Sequence, residues 1–186
     1  MDDAEIMDFA DTGAWDGWLT EHGASTPAVW LRIAKKGSAV AGLTAASAGD
    51  VALCHGWIDS HRRSLDSTHF LQRFSPRRKG SPWSRINVER VEALEAAGRM
   101  RPAGAAEVAA AKSDGRWQAA YASQRTAPVP ADLAAALAED PRARAAFESL
   151  GRSARYATFL PLLKARTEPE RRRALHRALV TLSGSS

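Results

Sequence analysis

The hydrophobic positions change period four times along the chain, and those changes divide it into elements. Asp11-Thr12 makes a plausible N-cap for a helix through AWDGWLTEHG that stops at Gly23. Trp15, Trp18, Leu19 and His22 fall on one face of it, which reads as core. In AVWLRIAKKG, Val29, Leu31 and Ile33 alternate with Trp30, Arg32 and Ala34, so the segment predicts a strand with one buried and one mixed face. Thr44 then caps a helix that Gly56 ends, with Val51, Ala52, Cys54 and His55 in its second half.

From Trp57 the period becomes two. WIDSHRRSL and THFLQRF predict strands joined at Asp66-Ser67, and a two-residue loop would set Leu65 opposite Thr68. That register puts Trp57, Asp59, His61 and Arg63 on one face with Phe70, Gln72 and Phe74. Ile58, Ser60 and Arg62 then share the other with Leu71 and Arg73. Ser75-Pro76 should end the strand, and Pro82 should lie in the first turn of a helix that runs to Gly98, with Trp83, Asn87, Val91 and Leu94 at helical spacing. From Pro102 on every segment reads helical, including WQAAY, which would place Trp117 and Tyr121 one turn apart, and a last helix with a capping box at Thr167–Glu170.

The pattern predicts an α+β fold: a small three-stranded antiparallel sheet packed by helices, followed by a C-terminal run of short helices. Residues 1–126 would form the α+β core, with 127–186 a helical extension packed into the same unit. With 45% hydrophobic and 25% charged residues, the chain has the composition of a folded domain rather than a disordered one. The acidic start lacks the basic and apolar regions of a signal peptide, no stretch is long enough for a membrane span, and the lone Cys54 suits a reducing compartment. A cytoplasmic protein without a membrane span is expected.

Charge is unevenly spread. Residues 1–26 carry −7, whereas 61–85 and 152–177 each carry +6. In the first basic block Arg73, Arg77, Arg78, Lys79 and Arg85 interleave with Trp57, Phe70, Phe74 and Trp83. Guanidinium groups beside aromatic faces suit an anion with a ring, and the amide groups at the start of the Trp83 helix would add to the site. The competing reading is a solvated hairpin edge kept soluble by positive charge and paired to the acidic N-terminus. The candidate ligand-binding set is Trp57, Asp59, Arg62, Arg73, Arg77, Arg78, Trp83, Arg85 and Asn87. His55, His61 and His69 match no common metal-ligand spacing, and Cys54 beside His55 reads as a small core residue, so neither a metal nor a cofactor is expected. No catalytic residue stands out, although Asp59 near arginines could act as an oriented base. The basic C-terminal helices could serve a protein partner or, ranked lower, nucleic acid.

Two stretches also carry a family resemblance. Cys54-His55-Gly56-Trp57-Ile58-Asp59 and the block Gln72-Arg73-Phe74-Ser75-Pro76-Arg77-Arg78 with Trp83-Ser84-Arg85-Ile86-Asn87 resemble the YdeI/OmpD-associated, or bacteriocin-protection, family. The strand end Ile33-Ala34-Lys35-Lys36-Gly37 fits the same pattern. The resemblance covers roughly residues 8–182 and implies stress or bacteriocin tolerance without a settled enzymatic activity. The expected function is therefore a non-catalytic binding or stress-tolerance protein with a basic, aromatic-lined anion-binding surface. An enzyme acting on an anionic small molecule through Asp59 and nearby arginines, or a nucleic-acid binder, stands as the alternative.

Overall fold

A computed structural model describes residues 4–37 and 42–184. The chain divides into two compact units, Met1–Trp83 with Asn87–Ala119, and Ser84–Ile86 with Ala120–Ser186.

The first unit contains β1 (Ile6–Met7), α1 (Thr12–His22), β2 (Val29–Ala34), α2 (Ala45–Cys54), β3 (Trp57–Ser64) and β4 (His69–Pro76). It also contains α4 (Pro102–Ser113) and all but the first two residues of α3 (Arg85–Ala96). Strand order is β1-β2-β4-β3. The sheet has four strands rather than the expected three, and it is mixed: β1 runs parallel to β2, while β2–β4 and β4–β3 are antiparallel. Two residues inside an acidic stretch cannot display a period, so β1 has no pattern to read. It is held because the Glu5 carbonyl accepts the Trp30 amide at 2.8 Å, and Asp8 then pairs with Arg32 at 2.6 Å.

One face of the sheet carries the core. Val29, Leu31, Ile33 and Phe74 meet Trp15 and Leu19 of α1 and Ala48, Val51 and Ala52 of α2, with Trp57 beside them. The helical spacing of Trp15, Trp18 and Leu19 therefore packs as expected, and the Trp15 indole N–H donates to the Ala48 carbonyl at 3.1 Å. Each large apolar side chain buried here contributes roughly 1.5–3 kcal/mol. Gly56 turns α2 into β3 at φ +74°, a conformation that favours glycine. A Cβ on Gly104 would sit 2.1 Å from the Cys54 carbonyl oxygen, so this glycine lets α4 close against the end of α2.

β4 ends at Ser75-Pro76 as expected, with Pro76 still facing Trp57 and the Arg77 amide donating to the Gly56 carbonyl at 3.0 Å. Two other expectations need correction. α3 begins at Arg85, leaving Pro82 and Trp83 ahead of it, where Ser84 bridges to Tyr121 instead. That bridge also keeps WQAAY out of a helix, although its composition is helical.

The second unit holds α5 (Ala131–Glu139), α6 (Pro141–Ser149), α7 (Arg152–Lys164) and α8 (Glu168–Gly184). Leu133, Phe147, Phe159, Leu162 and Leu182 lie in its core. Asp140 caps α6 through the amides of Arg142 and Ala143, and Thr167 with Glu170 forms the expected box at α8. Among the described residues no helix is long and apolar enough to cross a membrane.

Candidate functional site

The hairpin is longer at its tip than the sequence suggests. Ser64 faces Phe70, and Asp66 organises the turn by accepting the amides of Thr68 and His69, each at 2.7 Å, and the Thr68 hydroxyl at 2.9 Å. Those donors, the Thr68 and His69 amides foremost, hold the Asp66 carboxyl at a pKa of about 2. The register expected for a two-residue loop is present only at the far end, where Trp57 faces Pro76 and Asp59 faces Phe74. Between Asp59 and Arg62 it slips by one, leaving Ser60 and His61 opposite Arg73 as a bulge.

The slip exchanges the faces of the tip. Arg62, expected beside Leu71 and Arg73, stands on the core side with Phe70 and Gln72. Arg63 is on the opposite face, over the Trp30 ring at 4.3 Å. Gln72 is buried and plugs the bulge: its amide donates to the His61 carbonyl at 3.1 Å, and its oxygen accepts Arg62 Nε at 3.0 Å. Arg62 is thereby fixed with its guanidinium 4.2 Å from the Phe70 ring centre.

Arg62 forms one wall of a cavity of about 880 Å³ at the open end of this face. Lys35 and Lys36, where β2 ends, supply two more cations, and Phe70 with Ala34 supplies apolar surface. Thr44, Ala45 and Ala46 bring the N-terminus of α2 to the same space. The Thr44 hydroxyl and carbonyl accept the Ser47 and Ala48 amides, so the amides of Ala45 and Ala46 precede the first intrahelical bond. Lys35 Nζ donates to the Asp66 carbonyl at 2.6 Å, which holds it at the turn. The described lining carries three cationic side chains and no carboxylate. Its potential is therefore positive, reinforced by the helix end.

Of the candidate ligand-binding set read from the sequence, only Arg62 lines this cavity, joined by Phe70 of the interleaved aromatics. Trp57 is core, its indole donating to the Gly23 carbonyl at 3.2 Å. Arg77, with 1% of its side chain exposed, donates to the Pro82 carbonyl at 2.8 Å and lies 3.9 Å from the Trp83 ring centre. Trp83 in turn packs on Trp117. Glu107 and Asp114 bind buried Arg116, and Glu107 also lies 3.9 Å from Arg77. Arg77 and Trp83 thus sit inside a scaffold of arginines and tryptophans. Asp59 and Arg78 are exposed, Arg73 and Asn87 half-buried, and exposed Arg85 belongs to the second unit.

A second, smaller cavity of about 330 Å³ is lined by Thr12, Asp16, Cys54, Arg99 and Arg101. Here Asp16 is already engaged, by His55 at 2.8 Å and by a two-pronged pair with Arg101. Burial pushes the Asp16 carboxyl up, but the bonds from Arg101 and His55 outweigh it and leave the pKa lowered. Burial likewise pushes the Cys54 thiol up, away from the thiolate that nucleophilic work requires. The acidic N-terminus therefore spends Asp8 on Arg32 and Asp16 on Arg101, outside the 61–85 block; Asp2 and Asp3 lie outside the described residues.

These features define an α+β module bearing a cationic cavity, followed along the chain by a helical segment. The chain belongs to the family of the domain of unknown function DUF8412, whose model matches residues 7–107, and its residues 126–183 match the model of the bacteriocin-protection, YdeI or OmpD-associated family. Both motif stretches that carry the resemblance lie within the first match, and the second falls on the downstream helices. No curated protein and no solved structure matches the chain.

Proposed function

We propose that this YdeI/OmpD-associated protein is a non-catalytic, cytoplasmic binding protein whose ligand is an organic anion held in the 880 Å³ cavity. The observation that supports this reading is the convergence of Lys35, Lys36, Arg62 and the α2 N-terminus on a concave space whose described lining has no acid. Its volume lies in the range of about 300–1,000 Å³ that small-molecule sites occupy. The reading keeps the anion chemistry expected from the basic run but moves it to the hairpin tip. Buried, free Cys54 is in keeping with a reducing compartment.

Ligand-dependent thermal unfolding tests it. A panel of organic anions should include members that raise the Tm saturably, by the equivalent of about 2.7 kcal/mol at a hundredfold excess over Kd. Lys36→Glu and Arg62→Glu should abolish the shift. An absence of any shift, or equal shifts in the variants, contradicts the assignment. Stabilisation by DNA or RNA with a steep salt dependence would favour the nucleic-acid alternative instead.

A further inference from the structure

We infer that the ligand is amphiphilic: one oxyanion head joined to an apolar body, bound as a free molecule. This rests on the reading of the cavity as an anion site and adds what the rest of its wall requires. A site for a compact hydrophilic anion surrounds it with donors on all sides, as charge-assisted bonds demand. Here Lys35, Lys36, Arg62 and the first amides of α2 supply the donors, and Ala34, Ala45, Ala46 and Phe70 add described lining without polar side chains. A space of about 880 Å³ filled by a compact oxyanion alone would leave this apolar wall wet, whereas an apolar body removes it from water. The Arg62 guanidinium, tied to Gln72 through Nε and stacked on Phe70, sets a fixed charge beside an apolar ring.

The test is calorimetric titration of the whole protein with 4-phenylbutyrate, its neutral amide, acetate and inorganic phosphate, plus vesicles of phosphatidylglycerol. Phenylbutyrate should bind saturably at one site, about tenfold or more tighter than acetate, phosphate or the amide. Ala46→Leu, which narrows the cavity from an exposed helix position, should weaken phenylbutyrate by about tenfold, and Lys36→Glu should abolish its binding, both with an unchanged circular dichroism spectrum. If phosphate or acetate binds as tightly as phenylbutyrate, and Lys36→Glu abolishes it, the amphiphile assignment is overturned while the anion reading stands. If the amide equals the acid, or nothing in the set binds, both fall. Vesicle binding without saturable binding of phenylbutyrate would overturn the free-ligand claim in favour of a lipid surface.

Discussion

Arg62 and Arg77 belong to one basic run, yet one walls a cavity and the other braces the interior. Composition cannot separate them, because an arginine is read as exposed unless its partners are known, and those of Arg77 lie at Pro82 and Trp83 beyond a proline break. The expected anion grip at Arg77 therefore gives way to a measurable structural role. Arg77→Ala should cost about 3 kcal/mol in urea unfolding, since it removes a fully buried, stacked cation from its carbonyl and carboxylate neighbours. Cavity affinity should stay within about twofold, because distant sites act independently. Asp66 offers a second residue-level test. Its folded pKa of about 2 lies below the unfolded value of about 3.9, so its contribution is complete above the latter and fades as pH falls towards 2. Asp66→Asn keeps an acceptor for the turn amides but cannot titrate, so it should flatten the pH dependence of stability across that window.

At the scale of elements, much of the architecture could be read from periodicity. The faces of α1 and β2, the Thr44 cap, the pairing of the two hairpin strands and the Thr167 box stand as expected, because each rests on local spacing or local hydrogen bonds. What escaped was non-local. β1 is two residues long and is defined by its pairing, and the helical composition of WQAAY yields to the Ser84–Tyr121 bridge. The bulge mattered most for the site: one extra residue reverses side-chain parity, so the register placed Arg62 on the wrong face. The other ingredients, the Lys35-Lys36 strand end and the Thr44 cap, were visible separately, but only the fold brings them together. Removing Ser60 should leave a single residue opposite Arg73 while preserving the Asp59–Phe74 and Arg62–Gln72 pairings, so the variant should fold and bind. Gln72→Leu should instead release Arg62 and strand the His61 carbonyl, weakening binding about tenfold and stability by about 1–2 kcal/mol. Loss of binding without Ser60 would mean that the local twist, rather than parity, places Arg62.

For the whole molecule, each compact unit carries a core of its own, one around Trp15 and Phe74 and the other around Leu162 and Phe159. The two family matches follow the chain in the same order, and the described lining of the cavity comes from the first unit. Leu162→Ala should therefore destabilise the second unit by about 2–5 kcal/mol while leaving cavity affinity unchanged wherever the protein stays folded. Calorimetric unfolding and ligand titration of the same variant check both halves of that statement. The most direct test of the account is an amide chemical-shift titration of the intact protein with 4-phenylbutyrate. The largest shifts should fall at Lys35–Gly37, Thr44–Ser47, Arg62–Ser64 and Phe70. Shifts concentrated at Arg77–Arg85 or around Asp16 and Arg101, or none at saturating ligand, would contradict the placement of the site.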